Sequence, residues 1–258
     1  KYLEYCELEK NLSQNTIRMY DFYLNDFCEW MTSAKNKEII KLSDIDGETV
    51  KNYRIYLNRR KSSKFNHEFK RSTQKTFLVA LRAFLKFLVV QEELDIISPD
   101  QILLGKDADR VPKVFNDEQL GRFFEVQDLN KKSGLRDRAI LETLFSTGLR
   151  VSELVALNKD DINLKSGEFT VIGKGRKARI VYLSPAAINW IRKYLATRND
   201  SFDPLFVRYS GKKMEEGDFD GQSLRLTPRS VQRLVKKYVN RAGISIDATP
   251  HTLRHTFA

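Results

Sequence analysis

Along LSQNTIRMYDFYLNDFCEWM, residues 12–31, the apolar positions Ile17, Tyr20, Leu24, Phe27 and Met31 follow one another at steps of 3, 4, 3 and 4. That spacing gathers them on one face of an amphipathic helix, for which Ser13 offers a cap. The same period predicts helices over 46–60, with Val50, Tyr53 and Leu57 inward, and over 73–91, with Phe77, Leu81, Phe84, Leu85 and Leu88 inward. Between these two, RRKSSKFNHEFKR (59–71) is too polar and basic for a core. It reads as a loop or a helix end facing solvent, with backbone phosphate as a possible partner.

The helical pattern breaks at SPDQILLGKDADRVPK, where Pro99, Gly105, Pro112 and mixed charge predict a linker. We therefore expect a helical domain over 1–98, a linker over 99–112 and a second domain over 113–258. In the second domain, 137–148 reads as a helix stopped by Gly148, and 152–162 as a short helix running into a turn. EFTVIGKGRKARIVYL (168–183) alternates as two strands around a Gly-x-Gly turn. Helices follow over 184–198, capped by Ser184 with Pro185 in the first turn, and over 227–243, with Val231, Leu234, Val235 and Tyr238 inward; a long loop (209–221) separates them. The fold class expected is mostly α with a small β-sheet.

Charge narrows the function. The 258 residues carry a net charge of +11, of which +8 lies in 99–258. A polyanionic partner fits, nucleic acid first and an anionic membrane surface second. No apolar run reaches membrane-spanning length, and no signal or transit segment is evident, so a soluble cytoplasmic protein is expected. Cys6 and Cys28 both fall in helical patterns, as reduced core thiols would, and neither has the companions of a metal site.

Three basic motifs stand out: TGLRVSEL (147–154), GKGRKAR (173–179) and HTLRH (251–255). Arg150 lies just past a glycine-stopped helix, where a long side chain can be aimed at a ligand, and Glu153 can hold it in one rotamer; the alternative is a surface ion pair. In GKGRKAR, four of seven residues are basic on a hairpin tip, either as a solvated run or as a set of phosphate contacts with one lysine near a scissile phosphate. Thr249 and Pro250 suit a helix start, which puts His251 and Arg254, three apart, on one face able to meet an anion. Together the motifs suggest phosphoryl transfer: two arginines and a histidine bind the charge that gathers on the non-bridging oxygens, and a desolvated lysine protonates the leaving 5′ oxygen. A nucleophile is missing.

These motifs, in this order and behind the 12–31 helix, resemble the tyrosine recombinase (phage integrase) family, most closely its Xer-type members. The resemblance implies an N-terminal helical core-binding (SAM-like) domain and an α+β catalytic domain. It implies Arg150, Lys174, His251 and Arg254 as catalytic residues, Glu153 as their support, and Arg176, Lys177 and Arg179 as DNA-backbone contacts. No metal or other cofactor is implied. The partners implied are a double-stranded recombination site and further recombinase protomers, identical or different, in a tetramer, with an accessory protein possible and no membrane. The family's attacking tyrosine comes some tens of residues after H-x-x-R. This sequence has ten tyrosines and none after His251, and Tyr238 falls on the apolar face of its helix. The nucleophile is therefore expected beyond Ala258, and the chain as given is expected to bind DNA without cleaving it. A DNA-binding relative without a nucleophile, and an enzyme like type IB topoisomerase, are the alternatives.

Overall fold

The computed structural model describes residues 1–36, 39–61, 66–105, 113–173, 177–211 and 213–257. It is mostly helical, with one small sheet. The chain divides into two compact units, Lys1–Asp109 and Arg110–Ala258.

The first unit holds α1 (Tyr2–Leu8), α2 (Gln14–Lys35), α3 (Gly47–Arg59) and α4 (Arg71–Val90). The Ser13 hydroxyl accepts from the Thr16 N–H at 3.3 Å to open α2, and Asp46 accepts from the Thr49 N–H at 2.7 Å to open α3. Each bond satisfies a first-turn N–H that the helix itself cannot. Phe27, Met31, Tyr53, Leu57, Leu81 and Leu85 form the buried centre. Helix α1 was not expected; it buries Tyr2 against Phe84 and Phe87, with ring centroids 5.2 and 5.3 Å apart. Arg60, from the basic stretch, is half-buried: its guanidinium pairs with the Asp26 carboxylate, which also accepts from the Tyr53 hydroxyl at 3.1 Å. The expectation of two core thiols is corrected. Cys6 is buried, but Cys28 is exposed, because it sits on the outer face of α2 beside the inward Phe27.

The second unit contains α5 (Asp117–Glu125), α6 (Lys132–Thr147), α7 (Val151–Ala156), β1 (Glu168–Ile172), β2 (Ala178–Tyr182), α8 (Pro185–Leu195), α9 (Pro228–Arg241) and α10 (Pro250–Phe257). Helix α6 is central and packs on α7, β2, α8 and α10. Its Ile140, Leu141 and Leu144 are fully buried, each stabilising by roughly 1.5–3 kcal/mol. It also buries two acids, each paired as burial of a charge demands. Asp137 accepts from Arg136 and, at 2.7 Å, from the Tyr238 hydroxyl; Glu142 accepts from Arg138 at 2.8 and 3.0 Å. Strands β1 and β2 pair antiparallel, with Ile172 opposite Ala178 at the tip end. Among the described residues no helix is long and apolar enough to cross a membrane.

Candidate active site

Gly148 ends α6 in the left-handed conformation (φ 58°), where its N–H still donates to the Leu144 carbonyl at 3.0 Å. A glycine adopts that backbone without strain, so the chain turns sharply and delivers Arg150 as the cap residue of α7. Glu153, three residues on, folds back under it. One carboxylate oxygen accepts from the Arg150 N–H at 2.8 Å and the other from the Arg150 guanidinium at 3.0 Å.

The same carboxylate receives a second arginine. Arg179, on β2, donates two hydrogen bonds to Glu153, at 2.7 and 3.1 Å, so the R-x-x-E turn is joined to the base of the hairpin. The side chain of Glu153 is 8 % exposed, whereas those of Arg150 and Arg179 are 43 % and 37 % exposed. Burial pushes the Glu153 carboxyl up, but bonds from Arg179 and Arg150 outweigh it and hold the carboxyl down at about 2. The group is thus a fixed anion held by two guanidinium groups and the Arg150 N–H, and it leaves the outer edge of Arg150 facing solvent. Gly173, on the other side, donates to the Lys177 carbonyl at 2.8 Å, and a Cβ there would lie 2.9 Å from the Arg179 guanidinium. Lys177 is exposed; Lys174 and Arg176 lie outside the described residues.

Helix α10 begins at Pro250, as the sequence suggests, and packs on α6 and α9, the two helices that α7 also packs on. His251 and His255 are exposed and Arg254 is half-buried. Nη1 of Arg254 is buried and has no hydrogen-bond partner among the described residues. A buried guanidinium donor left open costs free energy unless a ligand completes it, and an oxyanion is the matching acceptor. Tyr238, 2 % exposed, is locked on Asp137, and burial together with that carboxylate pushes its hydroxyl well above the ordinary tyrosine range.

Two further cationic surfaces lie away from these motifs: the first takes in both ends of the basic stretch at 59–71, and the second was not singled out from sequence. In the first unit, a hollow of about 660 Å³ is lined by Lys51, Arg54 and Arg59 of α3 and by Arg71 and Lys75 of α4. In the second, the outer face of α9 exposes Arg229, Gln232, Arg233 and Lys236. Both follow helical spacing on polar faces, a signal that was legible. Other basic residues are structural: Arg225, for example, donates to the Val155 and Leu157 carbonyls at the end of α7, at 2.9 and 3.1 Å.

The phage integrase family matches residues 113–258, and the phage integrase N-terminal SAM-like domain matches residues 1–92. Tyrosine recombinase XerC of Leptospira interrogans is 34 % identical over 263 residues, covering 100 % of this chain and 78 % of that protein. Tyrosine recombinase XerD of Lacticaseibacillus casei is 30 % identical over 257 residues, covering 100 % and 82 %. Among solved structures, XerH site-specific recombinase bound to a palindromic difH substrate superimposes with a TM-score of 0.70 at 23 % identity, over 98 % of this chain and 70 % of that one. A lambda integrase dimer bound to a COC′ core site gives 0.67 at 14 %, over 99 % and 85 %, and these two likenesses speak for the fold.

Proposed function

The chain belongs to the phage integrase family, and on that premise we propose that it is a site-specific DNA recombinase of the tyrosine type. The observation that carries the proposal is the Glu153 junction, which ties the arginine of one motif to the base of the hairpin that holds another. A site built from a buried anion that positions exposed guanidinium groups suits a ligand with negative oxygens.

In this reading Arg150, Arg254 and His251 bind the non-bridging oxygens of the scissile phosphate, most tightly when charge peaks in the transition state. A tyrosine hydroxyl releases its proton to solvent water as its oxygen attacks phosphorus, the P–O5′ bond breaks, and Lys174 gives its proton to the departing 5′ oxygen. The 3′-phosphotyrosine keeps the ester, so attack by a 5′ hydroxyl restores DNA and returns the tyrosine its proton; neither metal nor nucleotide is required. Tyr238 is set in the core, so in this reading it is not the nucleophile. The basic hollow between α3 and α4, the outer face of α9 and Lys177 contact the duplex backbone, and Arg179 reaches it through the position it gives Arg150. Pairs of protomers on two sites form the working tetramer.

The test is covalent capture. The gene's full-length product, incubated with labelled duplex from its own locus, is expected to yield protein-linked label on a denaturing gel, and Arg150→Ala should abolish that label while duplex binding persists. Binding without adduct across the whole locus would instead support a DNA-binding relative that does no cutting.

A further inference from the structure

Helix α10 has only eight residues, too few to be stable without tertiary support, yet it carries His251 and Arg254. Its support lies on one side. Leu253 and Thr252 are buried, and the Thr252 hydroxyl accepts from the Thr249 N–H at 3.0 Å. One turn later the Thr256 hydroxyl donates to the Thr252 carbonyl at 2.8 Å and accepts from the Phe115 N–H at 3.0 Å. That last bond spans 141 residues of sequence and ties α10 to the segment that leads into α5. Phe115 is itself an anchored point, with its ring 5 % exposed and stacked on the fully buried Phe123 at 5.2 Å.

Arg254 lies two residues from each threonine. At about 100° per residue it projects from nearly the opposite side of the helix, with His251 about 60° from it. Fixing the threonine face therefore fixes the rotation of the helix, and with it the aim of the guanidinium whose buried Nη1 is open among the described residues. We infer that Thr256 is a positioning residue, which, through its bond to the Phe115 backbone, sets the reach of Arg254 toward the scissile phosphate. The inference rests on the recombinase reading above. Misplacing a charge-binding group by about 1 Å costs on the order of 10²-fold in rate, and Thr256, on the inward face, has no part in holding the duplex.

The experiment compares the full-length protein with Thr256→Val, Thr256→Ser and Arg254→Ala. It measures duplex affinity and single-turnover adduct formation on two substrates, one with an ordinary scissile phosphate and one with a methylphosphonate, which lacks the charge that Arg254 neutralises. Thr256→Val is expected to slow adduct formation by about 10- to 100-fold with affinity within about threefold of wild type. Thr256→Ser should restore the rate, and the deficits of Thr256→Val and Arg254→Ala should both shrink on the methylphosphonate. Wild-type rates in Thr256→Val, failure of the serine to rescue, or an equal deficit on both substrates would each overturn the inference while leaving the recombinase reading standing. If Thr256→Val does not fold, Thr256→Ala replaces it, and loss of fold in both assigns the residue to the core and overturns the positioning role. No adduct from wild type would overturn the recombinase reading and this inference with it.

Discussion

Replacing Glu153 by glutamine keeps the shape of the side chain and removes its charge. The wild-type carboxyl, ordinarily near 4.5, is held at about 2 by Arg179 and Arg150 against the cost of burial. At about 1.4 kcal/mol per tenfold, the ionised form gains about 3 kcal/mol over the protonated one from the folded surroundings. Because both arginines are more than a third exposed, solvent screens part of this, and a loss of about 2 kcal/mol in Glu153→Gln is the working figure. For a unit of this size that corresponds to a fall of about 4–8 °C in the melting transition at pH 7. The sign of the pH dependence follows from the lowered folded value: the contribution is complete above about 4.5 and disappears as pH drops toward about 2. Melting curves of both proteins between pH 7 and pH 2.5 should therefore converge at the acid end. A gap below about 1 °C at pH 7, or one that stays constant with pH, would refute the claim that Glu153 is an ionised clamp.

Other consequences can be measured directly. Tyr238→Phe leaves one oxygen of the buried Asp137 with only Lys237, at 3.8 Å, among the described residues, and should cost about 1–3 kcal/mol in denaturant unfolding while adduct formation by the full-length protein continues; a folded variant that forms no adduct would make Tyr238 the nucleophile. Gly134→Ala puts a Cβ 1.8 Å from the Asp128 carbonyl oxygen in the first turn of α6, and a melting transition as high as wild type would show that the Asp128 turn yields freely; a destabilisation of about 1–3 kcal/mol or more is expected. If roughly 6–10 phosphates are neutralised on binding, duplex affinity should drop on the order of 10³-fold or more between 50 and 200 mM salt, and a flat salt titration would remove the backbone contacts from the proposal.

What the sequence disclosed and what it withheld divide along physical lines. Helices α2, α3, α8 and α9 were legible because a capping side chain and a 3–4 apolar period agree, and α4 by its apolar period alone, since Lys70 makes no side-chain cap. Helix α5 carried such a signal too, the reciprocal Asn116 and Gln119 cap, and was passed over. Helix α6 starts five residues before the expected 137, since its early positions are polar and its buried acids look like surface until their arginine and tyrosine partners are known. Helix α7 was read too long; Leu157 turns extended and Arg225, distant in sequence, takes the freed carbonyls. At the site, the pairing of Arg150 with Glu153 follows from spacing alone, whereas the second arginine on that carboxylate depends on the hairpin register and on how β2 packs against α6.

The turn at Gly148 has an implication for how such a chain can change over time. Arg150 is held at a fixed two-residue offset from Gly148, the cap of a helix that the core grips along its length. Adding or deleting one residue within α6 would swing everything after it by about 100° and shift it by about 1.5 Å, turning Arg150 out of its present direction even with every side chain preserved. Length in this helix is therefore inherited as strictly as chemistry. Insertions can accumulate only where no such gearing exists, and the loop at 209–221, whose Phe219 stands 86 % in solvent, is a place where the chain can grow without turning the arginine.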